Sequence, residues 1–160
     1  MSIVYLGLGS NIDARSNISS GIDALRQTFG QVECSAVYQT AAFGFKSDDF
    51  INLVVRIETD MSPLKLKIFL TSLEDRHGRN RQSPKFSDRT LDIDTLLYDD
   101  LYLLSPALNI PRGEILEAAH VLKPLADLAP DLLHPVARKT MIELWNAFPK
   151  QDTKMMLIKL

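Results

Sequence analysis

The order of apolar segments along the chain constrains its fold more than any other feature of the sequence. Four short apolar runs are typical of buried strands: residues 3–8, 32–40, 50–58 and 91–98. Two stretches carry apolar residues at helical spacing: residues 17–29 and a segment that begins at Ser62-Pro63. The resulting order, β-α-β-β-α-β, predicts an α+β fold, a ferredoxin-like layer pair with both helices on one face of an antiparallel or mixed sheet.

The rest of the chain is predicted to form a C-terminal appendage to this unit. An apolar return at residues 101–104 precedes three stretches with helical character, at residues 114–119, 124–128 and 140–148. No internal repeat or linker divides the 160 residues, so we predict one domain over residues 1–160.

Composition and charge exclude several classes of protein. No apolar run reaches the roughly 18 residues that a membrane span needs, and the first residues lack the basic region of a signal peptide. Cys34 is the single cysteine, which excludes an intrachain disulfide and a multi-cysteine zinc site and suits the cytoplasm. The net charge of −2 argues against binding of nucleic acid by the whole surface.

A polar stretch before the last predicted strand concentrates positive charge. Residues 76–89 hold five Lys or Arg in fourteen positions, where the whole-chain frequency predicts about 1.6 (18/160 × 14). Two acids, Asp92 and Asp94, follow at once. A slightly acidic chain therefore places a basic loop directly beside a pair of carboxylates.

The two acids lie two residues apart on a predicted strand, so both side chains lie on one face of the sheet. The other face takes Leu91, Ile93 and Thr95. Adjacent carboxylates repel and raise each other's pKa unless a cation lies between them. Mg²⁺ relieves this repulsion and keeps coordination sites for phosphate and water. The spacing alone also allows a pair of solvated acids on an exposed strand.

The basic loop favours a polyphosphate ligand, because guanidinium groups bind phosphate oxygens while the acid pair binds a metal ion. The loop alone also allows a solvated connector or a nucleic-acid contact. An RNA-binding ferredoxin-like module would stack bases on aromatic residues of central strands. The predicted strand at residues 91–98 offers only Tyr98 for such stacking.

Gly9-Ser10-Asn11, at the end of the first predicted strand, is a second conspicuous motif. It lacks the glycine spacing of a phosphate-binding or dinucleotide-binding loop. We therefore predict a turn in which Ser10 and Asn11 bond to local backbone groups.

These features together resemble the 6-hydroxymethyl-7,8-dihydropterin pyrophosphokinase family over roughly residues 4–135. The resemblance rests on an ordered set of motifs: LGLGSN, Tyr38-Gln39-Thr40, Phe50-Ile51-Asn52, Leu73-Glu74, Gly78-Arg79, Arg89-Thr90-Leu91-Asp92-Ile93-Asp94 and Leu122-Lys123-Pro124-Leu125. The family has the ferredoxin-like layer pair. The resemblance implies transfer of diphosphate from ATP to 6-hydroxymethyl-7,8-dihydropterin in folate biosynthesis, giving AMP and the pterin diphosphate.

The resemblance also implies roles for individual residues. Asp92 and Asp94 would bind two Mg²⁺ ions that bridge the ATP phosphates, and Arg79 and Arg89 would be catalytic with them. The implied ATP-binding residues are Glu74, Arg79, Arg81, Lys85, Arg89, Thr95 and Arg112. The implied pterin-binding residues are Thr40, Ala42, Phe43, Phe50, Asn52 and His120. We expect a cytoplasmic monomer that binds small molecules, and neither nucleic acid nor membrane.

The chain departs from the family pattern in two segments. Phe86-Ser87-Asp88 stands where members usually have Trp-Gly-Pro. Arg112, Ala118 and His120 stand where members commonly have His, Arg and Phe. Arg112 could still donate to phosphate and His120 could still stack on the pterin, but Ala118 replaces a charged contact worth about 1.5–3 kcal/mol. A diverged paralogue that acts on, or only binds, a modified pterin or nucleotide is therefore an alternative.

Overall fold

The computed structural model describes residues 1–40, 48–82, 88–149 and 154–160. The strands within these ranges are β1 (Ser2–Ser10), β2 (Glu33–Cys34), β3 (Val37–Thr40), β4 (Phe50–Thr59), β5 (Asp92–Tyr98), β6 (Leu103–Leu104), β7 (Asn109–Ile110) and β8 (Met155–Ile158). The helices are α1 (Ala14–Phe29), α2 (Pro63–Arg76), α3 (Glu114–Glu117), α4 (Ala119–Leu128) and α5 (Met141–Ala147).

The main sheet has the strand order β5-β1-β4-β3-β8, and β2 also pairs with β4. Its strand pairs are antiparallel. Strands β1 and β4 therefore form the centre of the sheet, with β5 at one edge. The order β5-β1-β4-β3 in a βαββαβ unit confirms the predicted ferredoxin-like fold.

Helices α1 and α2 cover one face of this sheet, as predicted. Ile18 and Leu25 of α1 and Leu66 and Leu70 of α2 are buried in one hydrophobic core with the strand residues of that face. Ser62 begins α2 by accepting a hydrogen bond from the Lys65 backbone N–H, with proline at the next position. This amphipathic packing makes the first face of the sheet a closed apolar layer.

The C-terminal appendage forms a second hydrophobic core on the opposite face. Tyr5 and Val54 of the central strands are buried there with Leu122 and Leu125 of α4 and with Met141 of α5. The strand register shifts between Tyr5 and the next residue of β1, which marks a bulge against β5. The fold is thus a sheet covered on both faces, and the appendage supplies the third layer.

Two short elements differ from the sequence-based expectation. The C-terminal residues form β8, which pairs with β3 although no strand was predicted there. The apolar return at residues 101–104 contributes β6, which pairs with β7 outside the main sheet. Both elements are at most four residues long, so they carry too few residues for a periodic signal. Among the described residues, no helix has the length and apolarity required to cross a membrane.

Candidate active site

A row of three residues crosses the central strands on the face of the second core. Gly9 of β1 lies opposite Asn52 of β4 on one side and opposite Asp92 of β5 on the other. Neighbouring strands lie about 4.8 Å apart, so the backbones of Asn52 and Asp92 are roughly 10 Å apart across Gly9. In the same way, Gly7 lies opposite Asp94. The register places the Asn52 carboxamide on one side of Gly7 and Gly9 and the acid pair on the other. We call these two glycines the glycine floor.

Gly9 is required by the position of Asn52. A Cβ atom on residue 9 would lie 2.9 Å from Asn52 Oδ1, which is closer than real Cβ contacts come. The Asn52 side chain is held at its other end, because Nδ2 donates to Thr40 Oγ1 at 2.9 Å. Asn52 is 9% exposed, so its carboxamide oxygen has a fixed position over the glycine floor. Phe50, two residues before Asn52, lies on the same face by strand alternation.

The acid pair is flanked by two arginines. Arg79 Nη1 lies 2.9 Å from Asp92 Oδ1, and Arg112 Nε lies 3.6 Å from Asp94 Oδ2 and 2.7 Å from Glu114 Oε2. Burial, and then the negative charge of Asp92, raise the pKa of Asp94 to about 7, while Arg112 acts in the opposite direction. Arg112 therefore does not offset the burial and the repulsion that act on the Asp94 carboxylate.

Asp92 and Asp94 fit the ligand preferences of Mg²⁺. This ion binds proteins through one or two carboxylates and takes its remaining ligands from substrate phosphates and water. In the part of the chain that the structure describes, no group of three or more His, Cys, Asp or Glu is arranged to hold a metal ion by itself. A cation completed by phosphate oxygens would also relieve the repulsion that raises the Asp94 pKa.

Glu74 lies beside the acid pair and bonds to the backbone of the edge strand β5. It is 4% exposed, and its carboxylate accepts from the backbone N–H of Ile93 at 2.8 Å and from Arg81 Nη2 at 2.9 Å. Arg79 Nη1 lies 3.9 Å from the same carboxylate. Burial raises the pKa of Glu74, and the Ile93 N–H opposes that shift. These contacts join Glu74 to the Ile93 backbone and to Arg81, and the implied binding of ATP by Glu74 stays a prediction.

Replacing Glu74 by alanine is expected to lower the free energy of unfolding by about 2–4 kcal/mol, because the buried Ile93 N–H loses its acceptor and Arg79 loses a nearby negative charge. Asp75 offers a matched control, since it binds the same Arg81 at 2.9 Å but its side chain is 54% exposed. Asp75→Ala should cost only about 0–1 kcal/mol. Urea unfolding measures both variants, and equal losses would contradict a buried role for Glu74.

Arg89 is positioned by the turn after β1. Its backbone N–H donates to Asn11 Oδ1 at 2.7 Å, and its carbonyl accepts from the backbone N–H groups of Asn11 and Ile12 at 2.9 and 3.2 Å. The Ser10 hydroxyl, which has one proton, lies 2.5 Å from the Thr90 carbonyl oxygen and 3.3 Å from the Arg89 carbonyl oxygen. Burial, and next the charge of Arg79, lower the pKa of Arg89, so two basic side chains share this side of the acid pair.

The Ser10-Asn11 turn is therefore more than the local cap that the sequence predicted. Only one of its side-chain bonds is local, from Ser10 Oγ to the Ile12 carbonyl at 3.1 Å. Its other partners lie 37 to 80 residues away in the sequence. The LGLGSN motif was the available signal for these site residues, but its chemistry depended on neighbours that the sequence does not reveal.

Two further implied site residues lie on β5 and α4. Strand alternation turns the Thr95 side chain to the face of Ile93, opposite the acid pair, and Thr95 is 7% exposed. The role of Thr95 in binding ATP stays a prediction. His120, near the start of α4, has a pKa lowered by burial, and Glu114 opposes this shift. Its imidazole is therefore neutral at pH 7.

Three further residues implied by the resemblance, Ala42, Phe43 and Lys85, lie outside the described residues. Ten of the other implied residues lie around Gly7 and Gly9 in two groups. Thr40, Phe50 and Asn52 form the group on strands β3 and β4. The group around β5 consists of Glu74, Arg79, Arg81, Arg89, Asp92, Asp94 and Arg112.

Comparison with known proteins identifies one family that this chain is similar to in sequence. A family model described as 7,8-dihydro-6-hydroxymethylpterin-pyrophosphokinase matches residues 5–130. A relative from Aquifex aeolicus, named 2-amino-4-hydroxy-6-hydroxymethyldihydropteridine pyrophosphokinase, is 33% identical over 89% of this chain and 90% of its own length. Relatives with the same name are 38% identical in Synechocystis, over 87% of this chain and 72% of that protein, and 37% identical in Pseudomonas aeruginosa, over 91% of each.

Solved structures show the same fold at lower sequence identity. A crystal structure of wild-type Plasmodium falciparum HPPK-DHPS with pteroate superposes with a TM-score of 0.71 and 16% identity, over 91% of this chain. The chain spans 42% of that longer protein. The likeness supports the architecture of the sheet and its helices.

Proposed function

This chain belongs to the 7,8-dihydro-6-hydroxymethylpterin-pyrophosphokinase family, and on that premise we propose that it transfers diphosphate from ATP to 6-hydroxymethyl-7,8-dihydropterin. The observation that carries the proposal is the row in which Gly9 separates Asn52 from Asp92. A hydrogen-bonding amide on one side suits a pterin ring, and an acid pair with arginines on the other suits Mg–ATP. The two substrates would meet above the glycine floor.

The reaction is a single in-line displacement. The hydroxymethyl oxygen of the pterin attacks the β-phosphorus of ATP, and the bond from that phosphorus to the α–β bridging oxygen breaks. AMP leaves with the bridging oxygen, the terminal two phosphoryl groups stay on the pterin, and the hydroxyl proton is released. Such a transfer requires positioning and charge neutralisation and no covalent nucleophile on the protein.

We assign the nucleotide side to the residues around β5. Asp92 and Asp94 would hold Mg²⁺, and we propose two ions. When bound, Mg²⁺ neutralises phosphate charge and makes the attacking hydroxyl more acidic. Arg79 and Arg89 would donate to phosphate oxygens, which suit planar guanidinium groups. Arg112, already beside Asp94, would supply a further donor.

We propose that Glu74 holds these groups in place from the edge of the sheet. It binds Arg79 and Arg81 and also the backbone of the metal-binding strand. Lys85 remains a proposed phosphate ligand on the strength of the resemblance.

We assign the pterin side to the residues of β3 and β4. Asn52 would bond to the pterin ring through its fixed carboxamide, with Thr40 holding it in orientation. Phe50 would stack on the ring, and the neutral His120 would lie against it. Ala42 and Phe43 are assigned to the same side by resemblance.

Replacing Gly9 by alanine is expected to weaken pterin binding about 10- to 100-fold, because the new methyl group displaces the Asn52 oxygen and costs one buried hydrogen bond. Gly7→Ala is the matched control on the same strand face, since its Cβ would lie 3.4 Å from the Leu96 side chain, at ordinary contact distance. Pterin fluorescence titration measures both dissociation constants. Equal affinities in the two variants would argue against this position for Asn52.

Product analysis tests the proposed function directly. The protein is mixed with ATP, Mg²⁺ and 6-hydroxymethyl-7,8-dihydropterin, and ³¹P NMR follows the products. We expect AMP and a pterin diphosphate in equal amounts. Formation of ADP, or no consumption of nucleotide, would reject the proposal. The alternatives are a diverged paralogue that acts on, or only binds, a modified pterin or nucleotide, and an RNA-binding module, and the family match favours neither.

The remaining proposals concern the setting of this activity. We propose one catalytic domain over residues 1–160, which is supported by the pairing of the C-terminal β8 with β3 in the main sheet. We also propose a cytoplasmic monomer whose partners are ATP and the pterin. Light scattering at micromolar concentration tests the oligomeric state.

A further inference from the structure

We infer that Asn11 is a positioning residue that couples the pterin side of the site to its nucleotide side. The inference rests on the proposed function, because it assigns a role within that site. Asn11 lies in the turn directly after β1 and is 5% exposed. It touches neither the acid pair nor Asn52 through a hydrogen bond, so its contribution must act through other residues.

The side chain of Asn11 forms hydrogen bonds to two distant parts of the chain. Its Nδ2 donates to the Asp48 carbonyl oxygen at 3.1 Å and to Asp88 Oδ1 at 2.8 Å. Its Oδ1 accepts from the Arg89 backbone N–H at 2.7 Å. Both amide protons and the oxygen of one carboxamide are therefore engaged.

The partners of Asn11 lead into the two halves of the site. Asp48 lies two residues before β4, whose first residues include Phe50 and Asn52 on the pterin side. Asp88 and Arg89 lie just before β5, on the nucleotide side. The Asn11 side chain thus bonds to the segment that precedes each half of the site.

This connection makes the two halves energetically dependent on each other. If either partner moved without the other, a donor or acceptor of the Asn11 side chain, which is 5% exposed, would lose its bond, and that loss costs free energy. The arrangement with both halves in place is therefore favoured jointly. A ligand that stabilises one half should raise the affinity of the other half for its own ligand, and the effect must be reciprocal.

A binding experiment on the full chain tests this coupling. The probes are Mg²⁺ with an ATP analogue that carries a methylene group between the α- and β-phosphorus atoms, and oxidised 6-hydroxymethylpterin. The dissociation constant of the pterin is measured with and without saturating nucleotide analogue, and the ratio is the coupling factor. We expect Asn11→Ala to lower the coupling factor about tenfold, with a smaller change in the affinity for either ligand alone.

Asn17→Ala is the matched control. Asn17 Nδ2 donates at 2.7 Å to the Ile12 carbonyl in the same turn, but Asn17 makes no side-chain bond to Asp48, Asp88 or Arg89. This variant should keep the wild-type coupling factor. Asp88→Ala provides a second test, because Asp88 is exposed and its loss removes one of the two nucleotide-side bonds, while the bonds to the Asp48 carbonyl and from the Arg89 backbone N–H remain. It should also lower the coupling factor.

The outcomes separate this inference from the proposed function. If the wild-type protein binds both probes but Asn11→Ala and Asp88→Ala keep its coupling factor, the coupling role is overturned and the proposed function stands. Loss of affinity for each probe alone with an unchanged ratio has the same meaning, since it indicates a purely structural role. If the wild-type protein binds neither probe, the proposed function fails and the inference fails with it.

Discussion

Replacing Asp94 by asparagine is expected to slow diphosphate transfer about a thousandfold, which corresponds to roughly 4 kcal/mol of lost transition-state stabilisation. The physical reason is that Asp94 and Asp92 are the paired carboxylates on the site face of β5. An amide has nearly the same shape as a carboxylate but no charge. The variant should therefore keep its fold and lose its affinity for Mg²⁺. AMP formation under saturating ATP measures the rate.

Asp100→Asn is the control for this prediction, because Asp100 is exposed in the turn after the same strand. Its rate should stay within about twofold of the wild type, as for most surface substitutions. The metal-free Asp94→Asn protein should also be at least as stable as the wild type at pH 8, since it no longer carries a charge that burial disfavours. A variant with normal turnover at low Mg²⁺ would refute the metal-binding role of Asp94.

The second large effect is a dependence of Mg–nucleotide affinity on pH. The pKa of Asp94 is raised to about 7 by burial and by Asp92, so the folded protein holds a neutral Asp94 below that pH. A metal ligand must be deprotonated. The share of ionised Asp94 falls about 90-fold between pH 8 and pH 5, and affinity should fall with it. Calorimetric titration with the methylene analogue of ATP and Mg²⁺ across this range measures the effect.

The sign of the linked stability change follows from the same pKa. An acid with a raised pKa in the folded state binds more protons when folded, so its contribution to stability is lost as pH rises from about 4 to about 7. Metal-free protein should therefore be less stable at pH 8 than at pH 5 through this group. Asp94→Asn should show a smaller pH dependence in both experiments. Because the nucleotide titrates equally in experiments with either protein, the difference between the two slopes belongs to Asp94. Equal slopes in the two proteins would contradict the assignment to Asp94.

Local periodicity in the sequence was enough to predict the fold class. Strand alternation and helical spacing are set by backbone geometry, and both are visible over a few consecutive residues. They predicted the βαββαβ order and the shared face of Asp92 and Asp94. The same alternation put Thr95 on the opposite face, as the structure has it, and the implied contact between Thr95 and ATP stays a prediction.

The helices of the appendage were predictable for the same reason, but the surface on which they pack was not. The capping box formed by Thr140 and Glu143 at the start of α5 is a local signal. That these helices bury Tyr5 and Val54 in a second core depends on contacts across long stretches of chain. The strand β8 was missed because four residues carry no clear period.

The sequence by itself thus determined the order of elements, the spacing of the acid pair and, by resemblance, the family. Tertiary structure decided the contacts on which the proposed roles of Glu74, Gly9 and Asn11 rest. Their partners become neighbours only in the folded chain: Glu74 of α2 meets Ile93 where the helix packs on β5, Asn52 lies opposite Gly9 by strand register, and Asp48 and Asp88 meet Asn11 in the turn after β1. Hydrogen bonds reach about 3 Å, whereas these partners are 19 to 77 residues apart in the chain, so helix packing, loop contacts and strand register together bring them into contact.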